Sequence, residues 1–181
     1  MSDNELGKKM IEEEDLYLFI EAYEEATDEV LTSIERSERP DFICQRGNNT
    51  INGIELTKVM RDPASASWDR IMNRQESRDV WDTIDAIYAT SVRKSRKLQA
   101  GNWQCPNNTI LVLQVMDCPL SNLHKYLENG ISANDCTDLG FSEVWIADYS
   151  EVDVYSVIKL FGLYPERWWG YHERWRGKPY G

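Results

Sequence analysis

Thr109–Met116 (TILVLQVM) is an almost unbroken apolar run bounded by asparagine and aspartate. Its length and branched residues fit a strand covered on both faces. Such a strand needs a layer on each side, so the rest of the chain must supply helices and further strands around it. Residues 10–37 read as one amphipathic helix, with Leu16, Phe19, Tyr23, Ala26, Val30 and Ile34 at three- and four-residue steps. Glu12 to Asp15 suit its first turn, where the helix dipole favours negative charge, and Pro40 ends it. Residues 77–99 form a second long helix, with Val80, Ile84, Ile87, Tyr88 and Val92 on one face and Gly101 as its stop signal. Residues 61–76 are polar and irregular, with a turn at Asp62-Pro63. Pro119–Asn129 reads as a short helix, and Glu143–Ala147 and Val154–Leu160 as two more strands. The resulting order, α-β-β-α-β-α-β-β, predicts an α/β (α+β) fold: one mixed sheet flanked by helices. With 181 residues and 41% hydrophobic content, residues 1–181 are expected to make one domain, with an acidic N-terminal helix and an aromatic C-terminal tail.

Between the first two helices, Arg39–Lys58 reads RPDFICQRGNNTINGIELTK. Two apolar runs, Phe42–Cys44 and Ile51–Leu56, flank a turn rich in Gly and Asn, which is a β-hairpin signal. Asp41 opens the first run and Glu55 lies inside the second. Acids on neighbouring antiparallel strands can lie side by side and share a hard cation such as Mg²⁺. A turn cap at Asp41 and a solvated strand acid at Glu55 are the alternative readings, the second weakened by the apolar neighbours Ile54 and Leu56.

Pro40-Asp41, the hairpin and Gly53-Ile54-Glu55-Leu56-Thr57-Lys58 resemble the PD-(D/E)xK, or restriction-endonuclease-like, nuclease superfamily. The resemblance rests on about twenty residues. It implies a restriction-endonuclease-like core of helix, three or four mixed strands and a crossover helix. It also implies Mg²⁺- or Mn²⁺-dependent cleavage of phosphodiesters in DNA or RNA. Asp41 and Glu55 would hold the metal, with the Leu56 backbone carbonyl and a first-helix acid, best matched by Glu24. The family's lysine stands two residues beyond the second acid, and that position here is Thr57. Side chains alternate along a strand, so Lys58 points the other way. Three outcomes follow: a bulge turns Lys58 inward, Lys94 or Lys97 reaches the site from the second helix, or the site is inactive. The second outcome is the favoured one, since Lys94 and Lys97 share a helix face and could orient water or neutralise a phosphate. A solvated basic helix terminus is the plainer alternative for both.

The formal charge of −11 opposes simple polynucleotide binding, since duplex binders carry a basic footprint. Residues 1–30 hold eleven acids against Lys8 and Lys9, a balance of −9 that leaves −2 for the other 151 residues. An acidic helix steers toward cationic surfaces, so the competing reading is an inactive member of the same fold that binds a basic protein as an immunity protein or regulator. The tail interleaves Trp168, Trp169, Tyr171, Trp175 and Tyr180 with Arg167, Arg174, Arg176 and Lys178. It is read as packing over the core, ahead of base stacking or a homodimer surface. His172 is read as a packing residue rather than a general base. Cys44, Cys105, Cys118 and Cys136 lack C-x-x-C spacing, and neither His124 nor His172 is paired at ligand spacing, so free thiols are expected and zinc is not. No apolar run spans a bilayer and the N-terminus lacks an apolar signal region, which together predict a cytoplasmic protein with no membrane partner. No dinucleotide fingerprint, phosphate loop or serine-hydrolase elbow occurs.

Overall fold

A computed structural model describes residues 2–59, 76–131 and 133–172. Seven strands form a single mixed sheet in sequential order. They are β1 (Leu31–Arg36), β2 (Phe42–Arg46), β3 (Ile51–Val59), β4 (Thr109–Val115), β5 (Glu143–Asp148), β6 (Lys159–Tyr164) and β7 (Gly170–His172). The helices are α1 (Asp3–Thr27), α2 (Glu76–Gln99), α3 (Leu120–Gly130) and a single turn, α4 (Val152–Tyr155). β1, β2 and β3 pair antiparallel, β3, β4 and β5 parallel, and β5, β6 and β7 antiparallel again. The fold is therefore α/β with one mixed sheet, as the apolar run of β4 implies: all seven of its residues are buried.

Alternation along β4 divides the core. Ile110 and Val112 join a cluster with Leu16, Phe19 and Tyr23 of α1, while Leu111, Leu113 and Val115 join one with Ile84 and Ile87 of α2 and Leu123 and Leu127 of α3. A parallel β3–β4 pair needs a crossover connection, and α2 lies within it on one sheet face. α2 stops at Gly101, whose φ of +92° is open to glycine at little cost, and whose N–H donates to the Leu98 carbonyl.

The first helix differs from the sequence expectation. It starts at Asp3, with Ser2 and Glu5 forming a reciprocal capping box, so Glu12 to Asp15 lie mid-helix rather than in the first turn. It ends at Thr27, and Leu31–Arg36 form an edge strand instead of a helical continuation. The four-residue spacing of Val30 and Ile34 mimicked a helical stripe, yet both are exposed, at 45% and 51%. The expected strand at 154–160 begins instead at Lys159, after the α4 turn, and runs to Tyr164. The irregular stretch expected at 61–76 lies almost wholly outside the described residues, as do Arg174, Trp175, Arg176, Lys178 and Tyr180 of the tail. Its described part packs: Trp168 lies 6.2 Å from Trp145 and Trp169 lies edge-on to Phe161.

On the α1 face, one polar cluster ties four segments. Tyr23 Oη donates to Glu143 Oε2 at 2.9 Å, Arg46 Nη1 donates to Tyr23 Oη at 2.7 Å, and Arg46 also pairs with Glu29 and Glu143. Burial and the Glu143 carboxylate raise the Tyr23 phenol well above its ordinary range. The cluster pins α1 to β2 and β5 and closes the turn into β1. Glu143→Ala leaves the Arg46 guanidinium largely buried without its inner partner and is expected to cost about 2–4 kcal/mol in urea unfolding. A change under about 0.5 kcal/mol would mean that Glu29 alone satisfies Arg46.

Candidate active site

The β2–β3 ladder begins at Phe42, opposite Ile54, so Asp41 arrives just outside it, beside Glu55. Pro40 precedes it and packs on Gly53, where an added Cβ would sit 2.3 Å from Pro40 Cγ. Only glycine lets the chain cross β3 so closely. At this point side chains replace backbone pairing. The Leu56 N–H donates to Asp41 Oδ2 at 2.9 Å, and the Asp41 N–H donates to Glu55 Oε2 at 3.3 Å. Each acid thus satisfies the other strand's backbone.

Lys94 completes the arrangement from α2. Its Nζ donates to Glu55 Oε1 at 2.8 Å, and the Glu55 residue is only 5% exposed. Geometry explains the choice of lysine. Glu55, Thr57 and Val59 alternate onto the face that α2 covers, where Val59 joins the α2 core cluster. Lys58 is exposed on the other face. A bulge does not turn it inward, because β3 keeps unbroken register with β4 from Gly53 to Val59. Lys97 is exposed, although its carbonyl accepts from Trp103 Nε1 at 3.0 Å. Thr57 stands where the resemblance puts a lysine; it is buried, and its hydroxyl makes no hydrogen bond among the described residues.

The remaining sequence candidates divide. Leu56 contributes its N–H to Asp41. Glu24 is exposed in the last turn of α1 and its carbonyl accepts from the Asp28 N–H. The α1 acid whose charge reaches Asp41 is Glu12, about 18 Å along the helix axis from Glu24. It was missed because a helix start at residue 10 put Glu12 in the first turn. Glu12 also pairs with Arg36 at 2.5 Å. His124 stacks on Tyr171, and His172 contacts the Trp168 carbonyl at 3.0 Å on the opposite sheet edge, four strands beyond β3 and about 19 Å away.

A cleft of about 450 Å³ runs from Asp41 along the inner side of α1, past Glu12, Asp15, Lys58 and Gln114. Burial, then the neighbouring Glu55 carboxylate, pushes the Asp41 carboxyl up to about 7, against the opposing pull of the Leu56 N–H and Lys94. Asp41 Oδ1 makes no hydrogen bond among the described residues. Two oxygen ligands crowded together, one with an idle oxygen, fit a hard cation that keeps several of its own waters, such as Mg²⁺ or Mn²⁺. No group of three or more His, Cys, Asp or Glu side chains that could hold a metal ion converges among the described residues.

No protein-family model, curated protein or solved structure matches this chain.

The raised Asp41 carboxyl has a pH signature. Between about 4 and 7 the folded protein keeps a proton that the unfolded chain releases, so this group's stabilisation is present at low pH and is lost as pH rises toward 7. Asp41→Asn retains an acceptor for the Leu56 N–H and removes the charge. Without divalent ions it is expected to stabilise the fold by about 1–3 kcal/mol at pH 8 and by little at pH 4. Parallel stability–pH curves for the two proteins in chemical denaturation would show that Asp41 is not held in this environment.

Proposed function

We propose that this chain is a PD-(D/E)xK-type nuclease that hydrolyses phosphodiester bonds in nucleic acid with Mg²⁺ or Mn²⁺. The observation that carries this reading is the convergence of Asp41, Glu55 and Lys94 at one sheet position, from two strands and a crossover helix. The element order supports it as well: a helix, an antiparallel three-stranded meander, a crossover helix and a parallel strand.

In this reading Asp41 and Glu55 supply the protein's ligands to the cation. A divalent ion held there would supply Lewis-acid chemistry, lowering the pKa of a water and offsetting charge on the phosphate. Lys94, held by α2 against Glu55, orients the attacking water and stabilises the charge on the phosphate oxygens. Arg93, Arg96 and Lys97 are exposed around it and offer a local cationic path for the nucleic-acid backbone on an otherwise acidic molecule. A cytoplasmic setting is part of the proposal and rests on four free cysteines. No helix among the described residues is long and apolar enough to cross a membrane.

Calorimetric titration with Mn²⁺ is expected to give a binding isotherm for the wild type and none for Asp41→Ala. Cleavage of plasmid and single-stranded substrates is then expected to vanish in Asp41→Ala and Glu55→Ala. It should fall about 10²–10³-fold in kcat for Lys94→Ala, while Lys97→Ala and Lys58→Ala stay within about threefold in kcat. Cleavage that persists in Asp41→Ala comes from a contaminant. Metal binding without any cleavage by the wild type would end the nuclease reading and leave an inactive protein-binding member of the fold.

A further inference from the structure

The outer side of α1 plays no part in the site. Leu16, Phe19, Ala22, Tyr23 and Thr27 turn toward the sheet and are buried. On the opposite side, Leu6, Met10 and Tyr17 are 52%, 57% and 60% exposed. Steps of four and seven residues keep these three on one line along the helix. Large side chains left in water along one stripe, here interrupted by Glu13 between Met10 and Tyr17, mark an interaction surface more often than scattered exposed residues do. The stripe covers about 16 Å, or three helical turns.

Its surroundings specify the occupant. Asp3, Glu14 and Glu21 follow one another at steps of eleven and seven, forming an exposed acidic row along one flank. Glu24, also exposed, continues the apolar line at its C-terminal end. A second copy would bring an identical acidic row against this one, and like charges in register oppose association. A partner with an apolar face flanked by lysine or arginine meets both features at once.

The geometry points to the outer face of α1 as a docking surface for a cationic amphipathic helix of another protein, with Leu6, Met10 and Tyr17 packing against its apolar side. This is independent of the hydrolase reading, since Glu55 and Lys94 meet on the sheet face that α2 covers and Asp41 joins them at the start of β2, all away from the outer side of α1.

The test uses the whole chain and a synthetic helical peptide of about 18 residues, with leucine at heptad a and d positions and lysine elsewhere. A peptide of the same composition in scrambled order serves as the control. Calorimetric titration is expected to show saturable 1:1 binding of the patterned peptide and at least about tenfold weaker binding of the scrambled one. Met10→Ser with Tyr17→Ser should weaken binding about tenfold or more at all salt concentrations, and Glu14→Lys with Glu24→Lys should weaken it and flatten its salt dependence. All four residues are exposed, so unchanged circular dichroism and thermal midpoint certify the fold of each variant. Equal affinity for both peptides would reduce the effect to nonspecific charge and overturn the proposal, as would variants that bind like the wild type. Sedimentation at about 100 μM provides a further arm: a wild-type dimer dissociated by Met10→Ser with Tyr17→Ser would assign the face to self-association and overturn the cationic-partner reading.

Discussion

Burial of β4 on both faces is the constraint on which the rest of this structure depends. Seven buried residues in a row require a helical layer on each side. α1 provides one layer, and α2 with α3 the other. The chain reaches β4 from β3 through a crossover that contains α2, and this places α2 over one face of both strands. Alternation then decides which β3 side chains meet α2. Glu55 does and Lys58 does not, so the ammonium at the acid pair comes from Lys94 on the helix. The composition of the candidate site is thus a consequence of sheet topology, with no local irregularity in β3 needed to explain it.

Two buried carboxylate settings in the same molecule show how differently the fold treats such groups. Glu143 is surrounded by donors: the Tyr23 hydroxyl, the Arg46 guanidinium and the Trp145 indole N–H at 3.4 Å. It is a satisfied structural acid that joins four segments. Asp41 receives one backbone N–H and lies against a second carboxylate, so its charged form is held at a cost. An under-satisfied acid beside a cleft is the arrangement expected of a group whose remaining partner is not part of the chain. The same contrast appears between the two faces of α1, one committed to the core and the other leaving three large apolar side chains in water.

Much of the fold was legible where a single physical signal dominated. The apolar run of β4, the hairpin of β2 and β3, and the period of α2 all match the described elements, within a residue or two at the ends. The hairpin also brought Asp41 and Glu55 together, because residues flanking a short turn on antiparallel strands are forced to be neighbours. Legibility failed where two periods coincide. Val30 and Ile34 continued the step of α1, yet Asp28 has a left-handed φ of 59° that breaks the helix, and Ile34 lies at an irregularity in the β1–β2 register. Glu24 fitted the helical wheel and lies at the wrong end of the helix, since periodicity gives the face of a residue and not its height above the sheet. Glu12 has the right height, and only the docking of α1 on the sheet reveals it.

The sequence by itself therefore determined the α/β class, the doubly covered central strand, the hairpin and the pairing of two carboxylates, because each follows from contacts between residues close along the chain or from one strong pattern of burial. Tertiary structure alone decided that Lys94 meets Glu55, that Lys58 and Lys97 face water, that Glu12 rather than Glu24 stands near Asp41, and that the outer stripe of α1 is left uncovered. Those outcomes depend on how far each helix slides and how it turns as it packs on the sheet, and these quantities are set by side-chain interlocking across long separations in sequence.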